Sequence, residues 1–221
     1  MLASLSPIRN WIFDLDNTLY PARANLFAQI DARMTEYIAR RLNVDEEEAY
    51  SVQKAYFFGH GTTLNGLMAE HDVDPDDFLA FVHDVEMDVL EDNAPLAATI
   101  ARLPGRKIVF TNGDARYAGR VLDRLGLGAT FEAVHDIHAM GLVPKPDPAC
   151  YRGICAAFAI DPAASLFVDD MARNLAPAKA IGMTTVWVDN GSEQASYAAR
   201  DFIDFTTDDI TLWLNQVLEP A

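Results

Sequence analysis

Short apolar and β-branched runs recur along the chain, and they predict the strands of a sheet. We predict five strands, over residues 8–13, 107–110, 131–134, 165–168 and 183–188. Segments whose apolar residues recur at helical spacing lie between or after these runs, over residues 115–125, 175–181 and 208–218. Strands that alternate with helices pair in parallel through right-handed crossovers. The pattern therefore predicts an α/β fold with a Rossmann-like, doubly wound parallel sheet.

The stretch over residues 22–95 has a different pattern. Apolar positions at helical spacing predict helices over residues 26–42 and 45–58, and a third helix with one apolar face over residues 78–89. No convincing strand pattern occurs in this stretch. We therefore predict an all-helical cap domain over residues 22–95, inserted after the first strand. The α/β core is then formed by the residues on both sides, 1–21 and 96–221.

Composition and charge narrow the classes of protein. Half of the 221 residues (50%) are apolar, enough for a packed core, and the net charge of −16 argues against a nucleic-acid or anionic-membrane partner. The two cysteines are too few for a disulfide framework, and residues 1–9 do not look like a secretion signal. No apolar run approaches the roughly 18 residues of a membrane span. We expect a cytoplasmic protein with a small anionic partner; its oligomeric state stays open.

A pair of acids follows the first predicted strand. Asp14 and Asp16 are separated by one residue and end a buried run, at the edge where open α/β sheets bind ligands. Two carboxylates at this spacing attract a hard cation, and one can attack a phosphorus centre while the other manages the proton. The alternative is a strand-terminal Asx turn without chemistry.

Two further motifs carry groups that suit a phosphate. Thr111, Asn112 and Gly113 follow the second predicted strand, where a hydroxyl and backbone N–H groups can face an anion at a helix N-terminus. The alternative is an ordinary helix cap. Lys145 stands between two prolines on a stiff loop and can neutralise phosphate charge, although a lone loop lysine is usually only solvated.

A second acid pair follows the predicted strand over residues 165–168. Asp169 and Asp170 are adjacent, and two carboxylates at a buried strand end are costly unless they bind a cation. This pair therefore points to a metal site more strongly than the other motifs do.

Taken together and in this order, the motifs resemble the haloacid dehalogenase (HAD) superfamily of phosphohydrolases over residues 12–188. The resemblance implies that Asp14 is the nucleophile and that Asp16 is the general acid and then the general base. It also implies that Thr111, Asn112 and Lys145 bind the phosphoryl group. The helical insert resembles the first cap type of this family (C1), which closes over small substrates.

The same resemblance implies a magnesium cofactor. Its ligands would be Asp14, the backbone carbonyl of Asp16, Asp170, and Asp169 directly or through water. Family members that break carbon–halogen bonds lack the second acid, so the presence of Asp16 favours a phosphatase or a phosphomutase.

Four segments are similar to the pyrimidine 5′-nucleotidase branch of the family: residues 13–21, 61–68, 81–84 and 110–114. The resemblance implies a pyrimidine nucleoside 5′-monophosphate as substrate. Candidate contacts to the nucleobase lie in the predicted cap: Phe58, His60, Thr62, Thr63 and Asn65. The alternative for these side chains is packing within the cap. The chain departs from the branch at Tyr117, where histidine is common, and at Met171, where serine is common.

Other functions share parts of this pattern. A sugar-phosphate or phosphoglycolate phosphatase, or a β-phosphoglucomutase-like phosphomutase, would use the same core residues. A phospho-acceptor signalling domain also has an acid cluster, a threonine and a lysine, but its acid pair comes early and it has no inserted cap. Sustained release of phosphate distinguishes a phosphatase from that domain, and conservation of organic phosphate identifies a mutase.

Overall fold

The computed structural model of the chain describes residues 5–191 and 201–219. It divides into two compact units. One unit is formed by Met1–Ala24 together with Leu90–Ala221, and the other by Asn25–Val89. Among the described residues, no helix combines the length and the apolar character that crossing a bilayer requires.

The first unit contains a parallel sheet of six strands: β1 (Asn10–Phe13), β2 (Arg106–Phe110), β3 (Ala133–His135), β4 (Ser165–Asp169), β5 (Thr184–Val188) and β6 (Phe205–Thr207). Their order across the sheet is β3-β2-β1-β4-β5-β6. The chain builds outward from β1 to one edge and then returns to build the other half. The predicted α/β, Rossmann-like fold is confirmed, and the reversal beside β1 is a topological switch point, where such sheets bind ligands.

The register of the central strands sets the position of the predicted motifs. Phe13 is aligned with Val109 on one side and with Val168 on the other. The residues that follow these three therefore leave the sheet at the same edge. All four residues of β1 and all five of β4 are buried, so Asp14, which follows β1, and Asp169, which ends β4, are attached to packed central strands.

The helices form two groups. The second unit contains α1 (Leu26–Leu42), α2 (Glu46–His60), α3 (Thr63–His71) and α4 (Pro75–Val82). The sheet unit contains α5 (Ala94–Ala101), α6 (Ala115–Arg124), α7 (Pro148–Phe158), α8 (Ala172–Ala180) and α9 (Ile210–Leu218). The inserted unit is thus all-helical, as the sequence pattern predicts.

The prediction of one helix over residues 78–89 is wrong, because α4 ends at Val82. Side chains of α1 supply the hydrogen bonds that replace the next helical turn. The guanidinium of Arg33 donates two bonds to the carbonyl of Phe81, at 3.1 and 2.9 Å. The amide of Gln29 bonds both the N–H and the carbonyl of Glu86, at 3.0 and 3.2 Å.

Helix α3 was not predicted, because the glycines near residue 60 look like the middle of a loop. Its first turn is capped by Thr62, whose hydroxyl accepts from the N–H of Asn65 at 3.2 Å. A Cβ at Gly66 would lie 2.3 Å from the Cβ of Tyr56. Gly66 therefore sits inside a helix because α2 and α3 approach each other closely, not because the chain turns there.

Gly105, in the turn before β2, lies so close to Arg9 that a side chain there should destabilise the fold. Gly105 has φ +86°, and a Cβ there would lie 2.2 Å from the carbonyl oxygen of Arg9, which accepts from the N–H of Arg106 at 2.8 Å. We expect Gly105→Ala to lower the free energy of unfolding by roughly 2–5 kcal/mol, since a clash of about 1–3 kcal/mol adds to a backbone cost of about 1–2 kcal/mol.

The matched control is Gly182→Ala. Gly182 also has positive φ, +101°, but nothing lies within 4 Å of the added Cβ. We expect this variant to lower the free energy of unfolding only by the backbone cost, about 1–2 kcal/mol. Chemical denaturation measures both losses, and equal losses would contradict the assigned contact with Arg9.

Candidate active site

Carboxylates from two strand ends meet at the carboxyl edge of the sheet. Asp14 follows β1, Asp169 ends β4 and Asp170 comes next in the chain. Each offers an oxygen that lies within 4.8 Å of the other two, and all three side chains are buried. The structure therefore brings together three of the predicted metal ligands. An all-oxygen set of this kind suits a hard divalent cation.

Lys145 lies between two of these acids. Its Nζ donates to Asp14 Oδ1 at 2.7 Å and to Asp169 Oδ2 at 2.8 Å, and the residue is only 1% exposed. Burial acts to lower the pKa of this ammonium, but the two carboxylates and their hydrogen bonds outweigh it and raise the pKa. Lys145 is therefore a permanent positive charge in the site, not a solvated loop residue.

The loop that carries Lys145 is held by Asn112. The side-chain oxygen of Asn112 accepts from the backbone N–H of Lys145 at 2.9 Å, and its amide nitrogen donates to the backbone carbonyl of the same residue at 3.1 Å. Because the side-chain amide is engaged by Lys145, the group of Asn112 that can bind an anion is its backbone N–H. A phosphate-binding role for Asn112 stays a prediction.

Asp14 is destabilised as an anion by its surroundings. Burial raises its pKa to about 7; Lys145 opposes the shift, and the charges of Asp169 and Asp16 add to it. Thr18 links two of the acids, since its hydroxyl donates to Asp14 Oδ2 at 3.3 Å and accepts from the N–H of Asp170 at 3.1 Å. Thr18 had no predicted role, although it lies four residues after Asp14.

Asp169 is anchored by groups that were not predicted from the sequence. The amide of Asn174 donates to both of its carboxylate oxygens at 3.0 Å, and the N–H of Met171 donates to Oδ1 at 2.8 Å. The indole of Trp187 in β5 donates to the backbone carbonyl of Asp170 at 2.8 Å. The spacing of Asn174, four residues after Asp170 in the helix that follows, is the signal that could have revealed it.

Thr111 directly follows β2 and is buried, 1% exposed; its hydroxyl accepts from the N–H of Gly113 at 3.0 Å. The cap of α6 is Asp114, which accepts from the N–H of Tyr117 at 2.8 Å. The alternative that Thr111 or Asn112 is the helix cap is therefore wrong. The phosphate-binding role of Thr111 stays a prediction.

The side chain of Asp16 lies apart from the metal-type cluster. Its Oδ1 accepts from the hydroxyl of Tyr20 at 2.5 Å and from the hydroxyl of Tyr117 at 2.6 Å. Burial, together with the charge of Asp16, raises the pKa of both phenols well above the usual range, so both hydroxyls stay protonated and act as donors. The carboxylate of Asp16 thus has surroundings unlike those of Asp14.

The predicted nucleobase contacts all lie in the helical unit. Phe58, near the end of α2, is 70% exposed, and His60 is the last residue of that helix. Thr62 and Asn65 form the cap of α3, while Thr63 is buried and its hydroxyl donates to a backbone carbonyl of α2 at 3.4 Å. Phe58 is thus the member of this group with an exposed aromatic face; the substrate roles stay predictions.

The structure is thus a doubly wound parallel sheet whose carboxyl edge carries clustered carboxylates and a buried lysine. Residues 8–182 match the family model of haloacid dehalogenase-like hydrolases. Because this match covers most of the chain, the protein belongs to that family.

The chain is 23% identical over 189 residues to Phosphate metabolism protein 8 of Saccharomyces cerevisiae, covering 78% of this chain. The match spans 59% of the length of that curated relative.

Three solved structures share the fold. A HAD phosphatase from Thermococcus onnurineus has a TM-score of 0.65 at 17% identity, covering 96% of this chain and 98% of that one. The magnesium-bound HAD-hydrolase YfnB of Bacillus subtilis has a TM-score of 0.66 at 14% identity, covering 96% and 99%. An L-2-haloacid dehalogenase from Xanthobacter autotrophicus has a TM-score of 0.60 at 19% identity, covering 97% and 100%. Because these proteins include a phosphatase and a dehalogenase, the fold alone does not identify the reaction.

The buried ion pairs of Lys145 lead to a prediction about the free energy of unfolding. We expect Lys145→Met to lower the free energy of unfolding by about 3–5 kcal/mol in the absence of divalent cations, because it leaves two buried carboxylates without their partner. Saturating magnesium should restore part of this loss, since a cation bound by the acids supplies the missing charge.

The matched control is Lys179→Met, which removes a partly exposed pair with Asp204 at 2.6 Å. Its loss should stay below about 1 kcal/mol and should not respond to magnesium. Urea denaturation with and without magnesium measures both variants. A small, magnesium-independent loss for Lys145→Met would contradict the assigned role.

Proposed function

We propose that the protein is a magnesium-dependent phosphatase that hydrolyses small phosphomonoesters through an aspartyl-phosphate on Asp14. We further propose pyrimidine nucleoside 5′-monophosphates as its substrates. The observation that carries the proposal is the buried cluster of Asp14, Asp169 and Asp170 with Lys145 bonded into it, while Asp16 is held separately nearby. This arrangement separates a nucleophile from an acid–base group.

The residues of the cluster fit a magnesium ion. The cluster contains three buried carboxylates and one buried lysine, so it carries fewer positive than negative groups. Asp14, Asp170 and the backbone carbonyl of Asp16 would hold the ion, with Asp169 acting directly or through water. When bound, the ion would neutralise phosphoryl oxygens and favour the ionised form of Asp14.

The reaction divides between two carboxylates. In the first step an oxygen of Asp14 forms a bond to phosphorus, the ester P–O bond breaks, and Asp16 gives its proton to the departing oxygen. In the second step Asp16 takes a proton from water while the water oxygen bonds phosphorus and the bond to Asp14 breaks. Lys145, the hydroxyl of Thr111 and the backbone N–H of Asn112 hold the phosphoryl oxygens.

The presence of Asp16 favours ester hydrolysis over dehalogenation. An alkoxide is a poor leaving group and needs a proton, whereas a halide ion leaves without one. Asp16, a carboxyl group two residues after the nucleophile, can supply this proton to the ester oxygen. We therefore expect ester hydrolysis and not dehalogenation, although dehalogenases share the fold.

The nucleotide preference rests on different evidence. It is supported by the similarity of four segments to the pyrimidine 5′-nucleotidase branch. Phe58 is an exposed aromatic side chain of the helical unit, and stacking of a base on it stays a prediction. Sugar phosphates and phosphoglycolate remain competing substrates, because the core residues bind only the phosphoryl group that they all share.

Replacing the nucleophile tests the mechanism. We expect Asp14→Asn to reduce phosphate release by a factor on the order of 10³ or more, because an amide oxygen does not form the phosphoenzyme. The control is Asp189→Asn, which changes the acid directly after β5 and should alter the rate less than about twofold. Turnover by Asp14→Asn at the wild-type rate, with the fold intact by circular dichroism, would exclude the mechanism.

A substrate panel tests the substrate class. We expect phosphate release with magnesium to be fastest for uridine and cytidine 5′-monophosphates, slower for purine nucleotides, and slowest for sugar phosphates and phosphoglycolate. Removal of magnesium with a chelator should lower every rate by about 10²-fold or more. Strong activity on sugar phosphates beside weak activity on all nucleotides would disprove the nucleotide preference alone. A mutase would conserve total organic phosphate.

A further inference from the structure

Two buried tyrosines hold the carboxylate of Asp16, and the mechanism above gives them no part. Tyr20 lies in the segment after β1 and Tyr117 in the first turn of α6, and they are 2% and 1% exposed. Both hydroxyls donate to the same oxygen, Oδ1, at 2.5 and 2.6 Å. Two separate segments of the sheet unit thus converge on one atom.

This geometry distinguishes the two oxygens of the carboxylate. A carboxylate oxygen accepts two hydrogen bonds through its two lone pairs, and the two phenols occupy both on Oδ1. The hydrogen bonds that the described part of the chain makes to this side chain both fall on that oxygen. Oδ2 is therefore the oxygen available for a proton.

Packing around Tyr117 keeps its hydroxyl in place. A Cβ at Gly113 would lie 3.1 Å from a ring carbon of Tyr117, closer than most Cβ contacts, and 3.4 Å from the hydroxyl oxygen of Thr111. The N–H of Tyr117 is also bonded to Asp114 at 2.8 Å. The absence of a side chain at Gly113 thus lets the ring lie against the loop to which we assign phosphate binding.

We propose that Tyr20 and Tyr117 are positioning residues that place the transferable proton of Asp16 on Oδ2 and fix the direction in which this oxygen points. The inference rests on the proposed function, in which Asp16 is the acid and base. When the phosphoenzyme forms, the Oδ2–H bond breaks and the departing oxygen, which keeps the electron pair of its bond to phosphorus, gains the proton. When it is hydrolysed, Oδ2 takes a proton from the attacking water.

The orientation of Oδ2 matters most for substrates whose leaving group most needs a proton. Alkyl phosphates, including nucleotides, release a strongly basic oxygen and depend on the acid, whereas nitrophenyl phosphates release a stable anion and depend on it little. The parameter kcat/KM reports the steps up to release of the leaving group. Its dependence on the basicity of the leaving group therefore measures proton donation and not general stability.

The experiment compares kcat/KM for esters that range from nitrophenyl to primary alkyl phosphates, with magnesium present. We expect Tyr117→Phe and Tyr20→Phe each to lower kcat/KM for alkyl esters by about 10-fold, and the double variant by about 10²-fold. Nitrophenyl esters should change less than about threefold. Each variant should therefore show a steeper dependence on leaving-group basicity than wild type.

Two controls separate this role from a structural one. Tyr37→Phe removes another phenol–carboxylate bond, to Asp77 Oδ2 at 2.8 Å within the helical unit, and should keep the wild-type dependence. Asp16→Asn should show a steeper dependence than either tyrosine variant. Thermal unfolding of each variant verifies that it is folded, and the two tyrosines provide independent tests.

Two results would overturn the inference: a parallel fall for all esters, which indicates a structural defect, or an unchanged rate for alkyl esters. Failure of the proposed function is distinguishable from both. In that case wild-type protein releases no phosphate, or Asp16→Asn keeps the wild-type dependence.

Discussion

The site depends on the two hydrogen bonds that Lys145 makes to Asp14 and Asp169. Carboxylates that share a buried edge of a sheet repel one another, and each has lost its hydration. One buried ammonium offsets part of this cost and fixes the distance between the ends of two neighbouring strands. The surrounding groups serve the same arrangement: Asn112 fixes the backbone of the lysine, and Asn174 fixes Asp169.

Much of the sheet unit could be predicted from sequence, because apolar runs that end in acids are a local pattern. Asp14, Asp169, Asp170 and Lys145 could be identified from that pattern and from the family resemblance, and the structure brings all four together. The parallel arrangement follows from the alternation of strands and helices. The three-residue strand β6 was missed because it is too short to show a period, and the predicted edges of the other strands differ by a few residues.

Other features could not be read from the chain because they are made by distant partners. The end of α4 depends on Arg33 and Gln29 in another helix, so the apolar spacing that continues past Val82 is misleading. The role of Asn112 depends on a loop that is 33 residues away in sequence. Tyr117 looked like a departure from a branch pattern, and only the fold shows that its hydroxyl reaches Asp16.

The place where the helical unit enters the chain has an evolutionary consequence. The unit lies between β1 and β2, which pair in parallel whatever the length of the crossover that joins them. Lengthening a connection costs only logarithmically in chain entropy. Segments of very different size can therefore be exchanged at this point without altering β1 or the carboxylate of Asp14 that follows it, so selection can diversify the inserted unit while the buried cluster is inherited unchanged.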